Sequence, residues 1–455
     1  MLALLCWPAA AQESRVADPA DALLPQWKPL EHPSHFAAAL CYVGDADGDG
    51  TGDLAVGGPT HPGNGRVWIV SGTTGACIRK LSPPSEALRH IRFGKSLAAV
   101  GDLDGDGLTE LGVGAPSASE EPGYTGFVGA FSPRGGALRV WLAGENPGDL
   151  FGSSVCSLGD LDRDGVPDFA VGAPQGSGWN EKPGYVRVHS GKDGSILRTW
   201  RGTRPEEGFG TALCAVGDVD SDGSPDLAIG APCPYGASAR PGRVVVLSGV
   251  DGHVVREFPS TRRGGRFGYS LCSSGDLNAD GKRDLIIGEP GELMASDGAF
   301  KGAVHGWPIS DGVEIRRSDP QRWLAGFGEY GTALHDLGDI DADNVADYLV
   351  SCPKGGAEAQ GAVWAYSGRT GEELQFQQAP TEGGSAGGWY YGESISRAGD
   401  IDRDGVNDIA VGMCSWYSPA ERQWVLIYSG KSGRRLAVYQ EREIDADPTS
   451  APAAR

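Results

Sequence analysis

The stretch GDLDRDGVPDFAVGAP, residues 159–174, sets Asp160, Asp162, Asp164 and Asp168 within nine residues and then runs into an apolar segment. Carboxylates this close repel one another unless a cation compensates them. The spacing D-x-D-x-D-G-x-x-x-D offers oxygen ligands at loop positions one, three, five and nine, with the backbone carbonyl of position seven as a further donor. Ca2+ takes about six to eight hard oxygens in flexible geometry, and a Gly at position six supplies the left-handed turn that wraps a loop round one ion. An EF-hand would also want Glu at position twelve, where Val171 and Ile229 stand, and the flanks here read as strands. The expected chemistry is calcium binding in loops between strands.

The pattern occurs seven times. Its other copies carry Asp45, Asp47, Asp49 and Asp53; Asp102, Asp104, Asp106 and Glu110; Asp218, Asp220, Asp222 and Asp226; Asp276, Asn278, Asp280 and Asp284; Asp339, Asp341, Asp343 and Asp347; and Asp400, Asp402, Asp404 and Asp408. Asp-Gly pairs also make good hairpin turns without metal. That reading explains one copy more readily than 27 carboxylates and one Asn at 28 ligand positions. Glu110, Asn278 and the Asn344 that replaces the loop Gly are departures, so loops two, five and six are expected to bind more weakly. One Ca2+ per loop would bring the formal charge from −21 to about −7, which makes calcium a folding ligand.

The elements that must position these loops follow from the repeat. Successive first aspartates are 57, 58, 58, 58, 63 and 61 residues apart, and nine residues before each stands an aromatic: Phe36, Phe93, Phe151, Phe209, Phe267, Tyr330 or Tyr391. Each unit then offers an apolar run, a Gly/Pro-rich link, a second run such as RVVVLSG, a tight turn and a last run such as ILRTW. Four short strands per unit, repeated in phase, predict an all-β fold, a seven-bladed β-propeller of four-stranded antiparallel blades. The first strand is read as starting at the aromatic, with Cys41, Cys156, Cys214 and Cys272 filling a small-residue face towards the hub. A pairing among Cys233, Cys352 and Cys414 is left open. Tyr439 marks an outer strand for blade seven and Trp27 a further one, expected to pack at the seam between blades seven and one.

The aromatic-Gly pair, the acidic loop and the Gly-Ala-Pro after it resemble FG-GAP repeats, the units of the integrin alpha-chain propeller, over roughly residues 36–440. The resemblance implies a seven-bladed propeller, Ca2+ on some strand-connecting loops and a ligand-binding face at the opposite rim.

Composition narrows the function. A formal charge of −21 argues against nucleic acid and anionic membranes as partners, both of which are bound through excess Lys and Arg. The run LALLCWPAAAQ predicts a signal peptide over 1–11, and no later stretch is apolar enough for a transmembrane span. The expected organisation is then an N-terminal segment over 12–35, the propeller over 36–440 and a disordered tail over 441–455. No G-x-S-x-G, H-E-x-x-H or paired C-x-x-C is present, and the GKS at Gly94 and Gly430 lacks the upstream P-loop glycine. The loops between second and third strands vary most and carry Tyr124, Trp179, Tyr235, Trp416 and Tyr417, which serve either partner contacts or packing between blades. The expectation is an exported, secreted, cell-surface or periplasmic calcium-binding module that binds an extracellular protein or glycan without catalysis. The alternative is an enzyme acting on polysaccharide from a site at the channel mouth.

Overall fold

The computed structural model describes residues 34–60, 64–85, 91–117, 124–175, 182–233, 240–291, 302–318, 329–355, 360–380, 390–414 and 423–441. They form seven four-stranded antiparallel sheets, each built from four consecutive strands in sequential order, arranged as a seven-bladed propeller. In blade three the strands are Ser154–Gly159, Asp168–Ala173, Tyr185–His189 and Ile196–Arg201. The second strand is buried throughout, which is why it reads as the apolar run FAVGA with no polar alternation.

The apolar cores lie between blades. Leu158, Ala170, Val186, Val188 and Trp200 of blade three pack with Phe209, Leu227, Ile229 and Val245 of blade four in one buried cluster. Phe209 stands at the start of its own blade and faces backwards into the preceding one. The same crossing is seen in the parallel bridges Gly65↔Phe93, Gly126↔Phe151 and Gly302↔Tyr330. In blades one to six the aromatic is thus an anchor in the turn before the first strand, which begins three or four residues later, at Ser154 in blade three, whereas in blade seven the strand starts at Tyr390 and includes Tyr391. This corrects the expected strand start in the first six blades. Gly152 takes φ 90° and so breaks the extended alternation between Phe151 and Ser154.

Two glycines of the repeat meet across five of the seven boundaries. A Cβ on Gly172 would lie 2.1 Å from the carbonyl oxygen of Gly210 in the next blade, and Gly114 stands in the same relation to Gly152. Ser96 Oγ and Ser154 Oγ donate to those same carbonyls of the following blade at 2.7 and 2.8 Å. Outside, Arg79, Arg198, Arg256 and Arg316 donate to turn carbonyls of the following blade, those of Arg134, Val250, Ile309 and Gly368 respectively.

Blade seven takes all four strands from residues 390–440, its outermost being Arg435–Gln440, as the Tyr439 register predicts. Trp27 and the segment before Ser34 lie outside the described residues. The ring closes by side chains: Ser34 Oγ meets Gln423 Oε1 at 2.7 Å and Glu441 Oε2 at 2.6 Å, and Ser394 Oγ donates to the Ala37 carbonyl at 2.7 Å. Among the described residues no disulfide is formed, and Cys233, Cys352 and Cys414 do not pair with one another. Cys41, Cys156, Cys214 and Cys272 share one register on the first strands, opposite Ala55, Ala170, Ala228 and Ile286. Burial pushes the Cys41 thiol up to about 12 and Cys156 to about 11, as suits inert core filling.

Candidate metal loops on one rim

Each acidic loop joins the first strand of a blade to the second. In blade three the chain leaves the first strand at Gly159 and re-enters the sheet at Asp168. Between them two residues take left-handed backbone: position six, Gly165 at φ 89°, and position four, Arg163 at φ 63°. Position four is left-handed in every loop, although Arg163, Ser221, Ala279, Ala342 and Arg403 hold it in five of them. Local hydrogen bonds set this shape. Asp160 Oδ1 accepts from Asp164 N and its Oδ2 from Gly165 N, while Asp164 Oδ1 accepts from Val166 N.

The fold brings positions one, three and nine together. One carboxylate oxygen from each of Asp45, Asp47 and Asp53 lies within 4.8 Å of the others, and so do those of Asp102, Asp104 and Glu110, of Asp160, Asp162 and Asp168, of Asp218, Asp220 and Asp226, and of Asp339, Asp341 and Asp347. Position five points elsewhere, towards the turn between third and fourth strands. Asp222 Oδ2 accepts from Ser248 Oγ, Asp280 Oδ2 meets Ser310 Oγ, Asp343 Oδ2 accepts from Arg369 Nε, and Asp164 pairs with Lys192. Asp49, Asp106 and Asp404 cap their loops as Asp164 does, accepting from Thr51 N, Leu108 N and Val406 N. In loop five Asp276 accepts from Asp280 N and Gly281 N, and Asn278 Nδ2 donates to Asp280. In loop seven Asp400 accepts from Asp404 N and Gly405 N, while Asp402 N donates to Asp408.

Position nine is fully buried in all seven loops, at Asp53, Glu110, Asp168, Asp226, Asp284, Asp347 and Asp408. One of its oxygens accepts the N–H of loop position two at 2.6–2.8 Å in every blade. The other accepts the N–H of a turn glycine between third and fourth strands: Gly72, Gly191, Gly249, Gly368 or Gly430. One carboxylate therefore ties two connections of its blade together. Burial is the largest cause that pushes Asp53, Asp284, Asp347 and Asp408 up to about 6, with neighbouring carboxylates adding to it. A divalent cation among positions one, three and nine would supply the missing positive charge, and the all-oxygen donor set suits Ca2+.

The family model described as FG-GAP repeat matches residues 93–131, 151–189, 209–247 and 267–307, that is, blades two to five up to their third strands. Blades two to five carry FG-GAP repeats. The chain is similar to integrin alpha-5 of Xenopus laevis (31% identity over 217 residues), human integrin alpha-IIb (36% over 238) and integrin alpha-4 of Xenopus laevis (32% over 276). These alignments cover 45%, 46% and 58% of this chain and 20%, 21% and 25% of the relatives. The chain thus spans a fifth to a quarter of the length of the curated relatives it matches.

The FG-GAP signature is spelled loosely in the blades outside the match: Ala37 replaces the first Gly in blade one, and Cys352 and Met413 stand where Ala is usual in blades six and seven. They fold alike because Ala37 still takes φ 65° and each sheet keeps its four strands. Trp179, Tyr235, Trp416 and Tyr417 lie outside the described residues. Tyr124 is described, and it packs against the core cluster between blades one and two. Sequence reasoning missed the turn glycines that bond position nine. Their signal was the Ser-Gly that ends the third run in five of the seven units.

Proposed function

We propose that this protein is an exported, calcium-stabilised propeller that acts as a non-catalytic, adhesion-type binding module. One rim holds the acidic loops, in which carboxylates at positions one, three and nine, with position five nearby, hold Ca2+. The other rim presents the variable loops between second and third strands to an extracellular protein or glycan. The observation that carries the reading is the carboxylate buried at position nine of all seven loops, set in five of them beside two others within 4.8 Å, a charge arrangement that calls for a cation. The similarity to integrin alpha chains supports the adhesion-type role. Among the described residues no helix is long and apolar enough to cross a membrane.

The test has two arms. Calcium is removed and restored while bound metal and melting temperature are followed together; several ions per chain with a large rise in melting temperature support the metal reading, and neither change sinks it. Separately, exchanging residues 118–123, 176–181 and 234–239 for short Gly-Ser links is expected to abolish retention on matrix-protein and glycan arrays without lowering the melting temperature. Retention that survives the exchange removes that rim from the binding reading.

A further inference from the structure

Blade two departs from the other six at three places that meet at its acidic loop. Glu110 is the first, one methylene longer than the Asp found elsewhere at position nine. The second is Pro133, which stands where Gly72, Gly191, Gly249, Gly368 and Gly430 donate their N–H to position nine. Proline has no N–H to give. Glu110 Oε2 keeps its bond from Leu103 N, but Oε1 is buried without a hydrogen-bond partner.

The third is Arg139, three residues after the turn glycine Gly136. Ile78, Leu197, Val255, Leu374 and Leu436 hold that place in other blades, on the strand bulge, and pack into the cores between blades. Arg139 turns instead to its own loop: Nη2 contacts Asp104 Oδ2, and Nε lies 3.9 Å from the orphaned Glu110 Oε1. The neighbouring position is changed in step, because Val140 stands where Arg79, Arg198 and Arg256 reach out to the following blade. Blade two has therefore moved its guanidinium inward by one residue. Lys192 and Arg369 pair only with position five of their loops, whereas Arg139 reaches positions three and nine.

We propose that Arg139 is the resident cation of loop two and that this loop takes no calcium. The guanidinium neutralises the carboxylates that converge in the other loops and stands in for the N–H that Pro133 lacks. A divalent ion on Asp102, Asp104 and Glu110 would share its ligands with a positive charge already in contact with them, which opposes its binding.

The inference rests on the calcium reading of the other loops for its first readout and is independent of it for its second. Bound calcium per chain is measured by equilibrium dialysis and metal analysis on the full chain, for wild type and for Arg139→Leu and Arg139→Gln. The expected result is one additional ion per chain in each variant; equal counts with calcium bound in all three overturn the proposal and leave the calcium reading standing. In calcium-free buffer, Arg139→Gln is expected to melt below wild type, and Asp104→Asn added to it is expected to restore the loss. If Arg139→Gln melts with wild type there, or the second change restores nothing, Arg139 neutralises nothing and the proposal falls. Calcium bound by none of the proteins would overturn the calcium reading and leave the second measurement to decide on Arg139.

Discussion

A carboxylate that is buried, hydrogen-bonded by three backbone N–H groups and set beside two like charges is in conflict with itself, and Asp168 is such a group: it accepts from Leu161, Asp162 and Gly191. Removing it strands three donors. Asp168→Ala is expected to cost about 3 kcal/mol or more in calcium-free buffer, since each stranded buried donor costs roughly 1–3 kcal/mol. Asp164→Ala, which loses mainly one part-buried cap to Val166 N, should cost about 1 kcal/mol. Urea unfolding of the two variants checks the ranking. The left-handed position four gives a reciprocal pair. Ala342 takes φ 63° with its side chain exposed, and Gly105 takes φ 77° at the same loop position. Ala342→Gly is expected to stabilise and Gly105→Ala to destabilise, each by about 0.5 kcal/mol, the balance of left-handed strain against glycine's backbone entropy. The spacing of the aspartates was legible in the sequence. The left-handed position four was not, because Arg163 and Arg403 carry no signal of it, and position nine as a tie between two turns was marked only indirectly, by the Ser-Gly that ends the third run, because its partners are main-chain N–H groups.

At the scale of the strand, the motif letters acquire a physical reason. Phe-Gly and Gly-Ala-Pro recur because the second strand of one blade touches the turn that opens the next, Gly172 against Gly210. Gly172→Ala puts a methyl group where a carbonyl and Ser154 Oγ already stand, and is expected to destabilise the ring by about 1–3 kcal/mol, read from the urea midpoint. Blade six differs at this boundary. Ser351 replaces the glycine, and the facing first strand of blade seven starts at Tyr390 and has a register shift between Tyr391 and Ile395. Strand number and order could be read from runs and turns. The start of the first strand could not, since an anchoring aromatic three residues upstream has the same composition as a strand residue and only the φ of Gly152 separates the two.

For the whole ring, the near-constant period gave away seven blades, and closure by Tyr439's strand was legible from its distance to the preceding turn. The charge of the whole ring sets its response to pH. Asp53, Asp284, Asp347 and Asp408 titrate near 6 in the folded chain against an ordinary 3.8. Between those values the calcium-free folded state holds more protons than the unfolded state, so its stability rises as pH falls through the window and is lost as pH rises through about 6. Melting temperatures across that window should therefore climb towards acid without calcium. With saturating calcium the climb should vanish or reverse, because protons then displace the ion.

The seam between blades seven and one has a mechanical consequence. Elsewhere each blade is joined to the next by covalent chain, but here, among the described residues, the ring is shut by packing and by contacts such as Ser34 with Gln423 and Glu441. The outermost described residues, Ser34 and Glu441, sit on that same seam and touch each other. A force drawing them apart would load this one joint before any sheet, so the propeller is built like a split ring whose gap lies between its two handles.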